Sequence, residues 1–331
     1  MDPVALTRQL IDIESISGNE GAAGEFLAQQ LEGLGYAVER MPVEEGRFNV
    51  YARPAGVEAP PLVFSTHLDT VPPFILSRED DANIYGRGAC DAKGILAAMV
   101  AASLRLNAAK VPVGLLFVVG EERNSKGALT ANEHPRGSRF LVNGEPTDNR
   151  MASLSKGCLR VEVVCHGRPA HSAYPELGES AIEKLLDVLQ RLRTMELPHD
   201  ETAGATTLNI GIIEGGKATN VIPDFAKAQL LYRLVGESAP LREKIVAAAA
   251  DEARIDFVLD IAYMNFRTVP GIETMTAAFT TDIPKLSNWG EPVLLGPGSI
   301  LVAHTEREFI AKAELFRAVD LYEQVARHLL A

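Results

Sequence analysis

Three short runs in the first half of the chain are apolar without alternation: Pro61-Leu62-Val63-Phe64-Ser65, Val113 to Val119, and Phe140-Leu141-Val142. Successive side chains of a strand point to opposite faces, so such a run presents apolar groups to both sides of its sheet. It is stable only where both faces are covered, the setting of parallel strands joined by crossover helices. Gly94 to Leu106, rich in Ala and Met, reads as a buried helix between the first two runs. Helical spacing also covers Val4 to Ile13 and Phe26 to Gly35, with the polar stretch Ser15 to Glu20 between them. β-like runs follow at Tyr36 to Met41 and Asn49 to Ala52. Together these predict an α/β domain with a mostly parallel sheet and helices on both faces.

The pattern changes near Ser155. Cys158 to Val164 alternates, a helix is expected over Glu179 to Met195, strands over Thr206 to Ile213 and Ala226 to Leu234, a helix over Leu241 to Ala250 and a strand over Asp256 to Ala262. The order β-α-β-β-α-β is that of an α+β ferredoxin-like unit. Apolar α/β character resumes near Met264, and the chain ends in a helix over Lys312 to Leu330. The expected organisation is therefore a discontinuous domain, 1–154 and 264–331, interrupted by a second domain at 155–263.

Composition narrows the function classes. With 331 residues, 47% hydrophobic and 23% charged, the chain has the balance of an ordinary folded protein. A formal net charge of −12 without a basic stripe argues against nucleic acid as a partner. No apolar run approaches the ~20 residues of a membrane span, and no leader pattern opens the sequence, so a cytoplasmic location is expected. Cys90, Cys158 and Cys165 are too few and too unevenly placed for a disulfide framework. Cys158 and Cys165 fall on opposite faces of one strand and are expected in the core.

Chemistry concentrates where the apolar strands end. The first leads to His67 and Asp69, the second to Glu121 and Glu122, the third to Glu145. In a parallel sheet all carboxyl ends share one edge, where ligands bind, so these groups should converge. Asp91, after Gly86-Arg87-Gly88-Ala89-Cys90 and just before a helix, suits either an N-cap or a carboxylate that bridges two ions. Histidine and carboxylate donors without a cysteine cluster suit zinc, cobalt or manganese. Two-metal hydrolases hold such ions about 3.5–4 Å apart. Of two adjacent acids at a strand end, one can bind metal while the other serves as base. Taken alone, Glu121-Glu122 reads more readily as a solvated turn than as a site.

These residues sit in motifs that resemble the dinuclear-zinc deacylases and peptidases, the family that includes acetylornithine deacetylase and succinyl-diaminopimelate desuccinylase. The motifs are Ser65-Thr66-His67-Leu68-Asp69-Thr70-Val71-Pro72, Gly86-Arg87-Gly88 to Asp91-Ala92-Lys93-Gly94, Gly120-Glu121-Glu122 with Ser125 and Gly127, Gly144-Glu145-Pro146-Thr147, and Gly296-Pro297-Gly298 to His304-Thr305. The resemblance spans nearly the whole chain, which is short for the family. It implies that His67 and Glu145 hold one zinc ion, Glu122 and His304 the other, and that Asp91 bridges both. It further implies that Glu121 is the general base and Asp69 orients the His67 imidazole.

The inserted unit resembles the family's lid, which implies a homodimer. Its motifs are Ala170-His171-Ser172-Ala173-Tyr174-Pro175, Gly215-Gly216-Lys217-Ala218-Thr219-Asn220-Val221-Ile222-Pro223, and Arg233. By the resemblance, His171 stabilises the oxyanion in the neighbouring subunit's site, and Asn220, Arg233, Tyr174, Gly296 and Gly298 bind the substrate's carboxylate. His134, His166, His199 and His328 match nothing and read as surface or structural. Cys90 reads as a packed small residue.

The expected activity is hydrolysis of the amide of an N-acyl amino acid, on the acetylornithine pattern suggested by Thr147. The alternatives are a desuccinylase, or a dipeptidase or carboxypeptidase with the same centre. A serine hydrolase would need Gly-x-Ser-x-Gly, a nucleotide site a third glycine after Gly86-x-Gly88, and a short zinc-protease motif His-Glu-x-x-His; none is present. A silent binding protein on the same fold is the rival from another class, and the filled set of ligand and base positions argues against it.

Overall fold

The computed structural model describes residues 1–331. Contacts divide the chain into two compact units, Met1–Ser153 with Phe266–Met275 and Thr281–Ala331, and Leu154–Asn265 with Thr276–Thr280. No helix is long and apolar enough to cross a membrane.

The first unit opens with helix α1 (Pro3–Ile11), capped by Asp2, whose carboxylate accepts the Val4 N–H at 3.0 Å. Helix α2 (Gly21–Gly33) follows, then strands β1 (Tyr36–Glu44), β2 (Arg47–Pro54) and β3 (Leu62–His67). After helix α3 (Lys93–Ala108) come strand β4 (Val113–Val118), helix α4 (Lys126–Glu133), strand β5 (Phe140–Asn143) and strand β6 (Met151–Ser155). The second unit contains β7 (Gly157–His166), α5 (Ala181–Thr194), β8 (Thr207–Gly215), β9 (Phe225–Leu234), α6 (Ser238–Ala249) and β10 (Arg254–Ile261). The first unit closes with β11 (Glu291–Leu294) and α7 (Lys312–Leu330).

The large sheet runs β1-β2-β4-β3-β5-β11-β6. Its centre, β4-β3-β5-β11, is parallel, and its flanks are antiparallel. The unbroken apolar strands are explained by two cores. Leu62, Phe64, Leu115 and Phe117 face one core with α1, α2, α3 and α7. Val63, Leu116, Val118 and Leu141 face the other with Ala128 and Ala131 of α4 and the fully buried Trp289. The register sets His67 opposite Val118 and Ser65 opposite Asn143, so β3 and β4 finish level and β5 stops two residues short of them.

The second unit is a four-stranded antiparallel sheet, ordered β8-β9-β7-β10, with α5 and α6 packed on one face over Val161, Val163, Leu230 and Tyr232. This is the ferredoxin-like arrangement expected from the order of elements. Cys158 and Cys165 are both buried on its central strand β7, and all three cysteines are free thiols. Strand β8 lies at the sheet's edge and is largely exposed, with Ile212 and Ile213 among the exposed large apolar residues.

Candidate metal centre

Each site residue of the first unit is delivered by an element end. His67 is the last residue of β3; Glu121 and Glu122 follow β4 by a three-residue step; Glu145 lies two residues past β5. Asp91 precedes α3, whose N-cap is Ala92 without any side-chain hydrogen bond, so Asp91 is not spent as a cap. Its two oxygens are divided instead. Oδ1 lies 3.0 Å from His67 Nε2 and Oδ2 lies 3.3 Å from His304 Nε2. Glu122 Oε1 is 2.9 Å from the same His304 nitrogen. One donor atom from each of His67, Asp91 and Glu122 falls within 4.8 Å of the others.

The imidazole of His67 is buried and its tautomer is set from behind. Nδ1 lies 2.9 Å from the main-chain carbonyl of Asp69, an acceptor only, so Nδ1 carries a proton. Nε2, 3.0 Å from Asp91, donates to that carboxylate in the metal-free protein, where, against the ring's burial, Asp69 and Asp91 raise its pKa. Loss of the Nε2 proton frees that nitrogen for a metal. The Asp69 carboxylate is further from the ring, 3.6 Å. It accepts the Ser17 hydroxyl at 2.6 Å and the backbone N–H groups of Glu121 and Glu122 at 3.0 and 3.1 Å. Burial works against its charge, yet these bonds and His67 hold the Asp69 carboxyl below its usual range. Asp69 thus fastens the loop that presents the two glutamates, while its carbonyl, not its carboxylate, makes the short contact to the imidazole.

Asp91, Glu121, Glu122, Glu145 and Asp282 place five carboxylates around two imidazoles. No Lys or Arg forms an ion pair with any of them. Burial, then the Glu145 and Asp282 carboxylates, push Glu121 up, and burial also dominates the rise at Glu145. Glu145 Oε1 is buried without a hydrogen-bond partner. Hydrogen bonds to Asp91 and Glu122 raise the half-exposed His304 to about 10. Crowded carboxylates, an orphaned acid oxygen and imidazole nitrogens aimed at acids form a donor set that fits divalent cations, which would relieve the uncompensated charge. His304 reaches its place through a left-handed backbone, φ 63°, a conformation that costs a non-glycine residue about 1 kcal/mol or more and clusters at functional sites.

Gly296, Gly298 and Thr147 pack around the ligand-bearing segments. A Cβ on Gly296 would meet the Glu145 carbonyl oxygen at 2.4 Å, and one on Gly298 the Cys90 Cβ at 2.6 Å. Both glycines therefore allow the 296–298 loop to lie against ligand-bearing segments. The Thr147 hydroxyl accepts the Gly296 N–H at 2.9 Å and donates to the Arg150 carbonyl at 2.6 Å. His171, Tyr174, Asn220 and Arg233 belong to the second unit, with His171, Tyr174 and Asn220 exposed and Arg233 half-buried. His134, His166, His199 and His328 are exposed, and Cys90 is fully buried. Ser17, Asp282 and Glu308 are buried or half-buried polar groups that no spacing to a strand end marks.

A peptidase dimerisation domain model matches residues 154–256. A probable carboxypeptidase of Aspergillus clavatus is 39% identical over 368 residues, covering 98% of this chain and 81% of its own. A peptidase M20 domain-containing protein of Schizosaccharomyces pombe is 36% identical over 339 residues, covering 99% and 84%. The chain belongs to the M20 peptidase family. Its members are metal-dependent hydrolases of amide bonds, and the M20 assignment makes this chain one of them. The Aspergillus alignment is longer than the 331 residues here, so that relative carries insertions this M20 chain lacks. Among solved M20-like folds, aminopeptidase PepT of Bacillus cereus superposes with TM-score 0.83 at 21% identity, covering 100% and 98% of the two chains. The M20 metallo-carboxypeptidase of Sulfolobus solfataricus superposes with TM-score 0.75 at 19% identity, covering 99% of each.

Proposed function

We propose that this protein is a two-metal exopeptidase of the carboxypeptidase kind, acting on short peptides with a free C-terminal carboxylate. The observation that carries it is the division of Asp91, one oxygen toward each of two imidazoles, beside two further acids. His67 and Glu145 would hold one ion and Glu122 and His304 the other, with Asp91 contributing to both. Zinc is the expected metal, with cobalt or manganese as substitutes. When bound, such a pair acidifies a water and polarises the scissile carbonyl. Glu121, half-buried and outside the ligand set, would serve as the base that takes a proton from the attacking water and returns it to the leaving amine. Its raised affinity for protons suits the return step.

His171 is assigned the oxyanion contact. Its Nδ1 accepts the Ala173 N–H at 3.1 Å, so the neutral ring carries its proton on Nε2, leaving an exposed N–H donor. Tyr174, Asn220 and Arg233, with the Gly296 to Gly298 loop, are assigned to the substrate carboxylate. A homodimer through the second unit is supported by the matched dimerisation domain and by the exposed edge strand β8. A cytoplasmic site of action accords with three free cysteines.

The choice of peptide over acyl substrate follows the relatives called probable carboxypeptidases. Removal of an acetyl or succinyl group from ornithine, lysine or diaminopimelate would use the same cleavage. The motif that favoured acetylornithine rests on Thr147, whose hydroxyl is committed to the Gly296 loop. A panel of dipeptides, tripeptides, N-acetyl and N-succinyl amino acids, run with zinc- or cobalt-loaded protein, tests the proposal. Cleavage of peptides in preference to acyl amino acids is expected; preference for N-acetylornithine would replace it with the deacylase reading.

A further inference from the structure

Glu308 lies four residues after His304, and its side chain is 1% exposed. One loop saturates its carboxylate. Oε1 accepts the backbone N–H groups of Gly88 at 2.9 Å and of Cys90 and Asp91 at 3.2 Å each, and Oε2 accepts Arg87 Nη1 at 2.6 Å. Arg87, also buried, donates through Nη1 to the Thr305 carbonyl at 3.2 Å and through Nε to the Pro73 carbonyl at 3.3 Å. Next to this pair, Asn83–Tyr85 and Phe309–Ala311 are antiparallel strands with Phe309 opposite Tyr85, and the Gly86 N–H donates to the Glu308 carbonyl at 3.1 Å. The segment entering Asp91 and the segment leaving His304 are therefore joined along their length, and the join ends at a buried ion pair bonded to the Asp91 backbone.

Removing one partner of such a pair leaves the other charge and several N–H groups buried and unpaired, a large cost compared with losing a surface pair. The other ligands are held differently. His67 is fixed by the Asp69 carbonyl. Glu145 follows Gly144, whose carbonyl accepts the Thr66 hydroxyl at 2.8 Å. Neither support involves Glu308. We infer that Glu308 is a positioning residue of the metal centre: it sets the separation of Asp91 and His304, and with it metal affinity, most of all that of the ion at Glu122 and His304, because the ion at His67 and Glu145 shares only Asp91 with this support. This rests on the ligand assignment proposed above.

Metal-free wild type, Glu308→Gln and Glu308→Asp are titrated with zinc by calorimetry, with bound metal counted by mass spectrometry. Thermal melts of the metal-free proteins check folding, and Arg87→Lys is read in the same way should a Glu308 variant not fold. The inference predicts two ions on wild type. In the variants it predicts a second ion bound about 10–100-fold more weakly and a first ion weakened severalfold less than the second. Activity should return as zinc is raised, with the half-activating concentration shifted and kcat largely recovered. Wild-type affinity for both ions in every folded variant, or equal weakening of both, overturns it. Wild type that takes no second ion overturns the ligand assignment, and the inference with it.

Discussion

Asp91 offers one oxygen to each of two imidazoles, which makes the protonation of those rings part of metal uptake. In metal-free protein His304 is raised to about 10 by Asp91 and Glu122. The charged ring therefore stabilises that form fully below its ordinary value of ~6.5, and the contribution fades as pH climbs through about 10. A metal needs the neutral ring, so binding near pH 7.5 expels a proton and affinity climbs with pH. Calorimetry in buffers of different ionisation enthalpy should register this proton, and His304→Ala should release about one fewer; an unchanged count would remove His304 from the centre. Glu121 makes a separable prediction. Glu121→Ala should lower turnover by about 10²–10⁴-fold while bound metal stays the same, read by activity and metal content on one sample.

Element ends explain how much of this site the sequence makes legible. His67, Glu122 and Glu145 are readable because unbroken apolar runs mark buried parallel strands, and such strands place their ends together. Asp91 is ambiguous from sequence, since a cap and a ligand occupy the same place before a helix; in the structure Ala92 stands at the N-cap of α3, so Asp91 is not spent there. Glu308 carries no local mark. Its role comes from contacts to residues more than 200 positions away, and spacing cannot report those. Helix α4, eight residues without an apolar stripe, and the short strand β11 were equally silent in the sequence. Three substitutions test the element account. Gly296→Ala should drive a Cβ into the Glu145 carbonyl and lower activity or metal binding, whereas the equally small change Gly33→Ala, with nothing near its Cβ, should leave both intact. Ser180, whose hydroxyl caps α5 by accepting the Glu183 N–H at 3.2 Å, should cost about 1 kcal/mol of stability when replaced by Ala, measured by denaturant unfolding.

At the scale of the whole molecule, the fold divides labour between a unit that contains every proposed metal ligand and a unit that contains His171 and most of the proposed carboxylate contacts. That division predicts that the first unit alone governs metal content, while the second contributes to turnover and substrate choice without affecting metal content. His171→Ala should therefore lower kcat while leaving zinc stoichiometry unchanged, and equal loss of both would contradict an oxyanion role. The central claim is tested most directly by counting metal and activity together. Zinc-loaded wild type and Glu121→Gln are assayed on one peptide series with free or amidated C-termini, with bound zinc measured on the same samples. The account predicts two ions per chain in both proteins, with cleavage by wild type alone and only of peptides bearing a free carboxylate. Full activity with fewer than two ions, or turnover by Glu121→Gln at the wild-type rate, would contradict it.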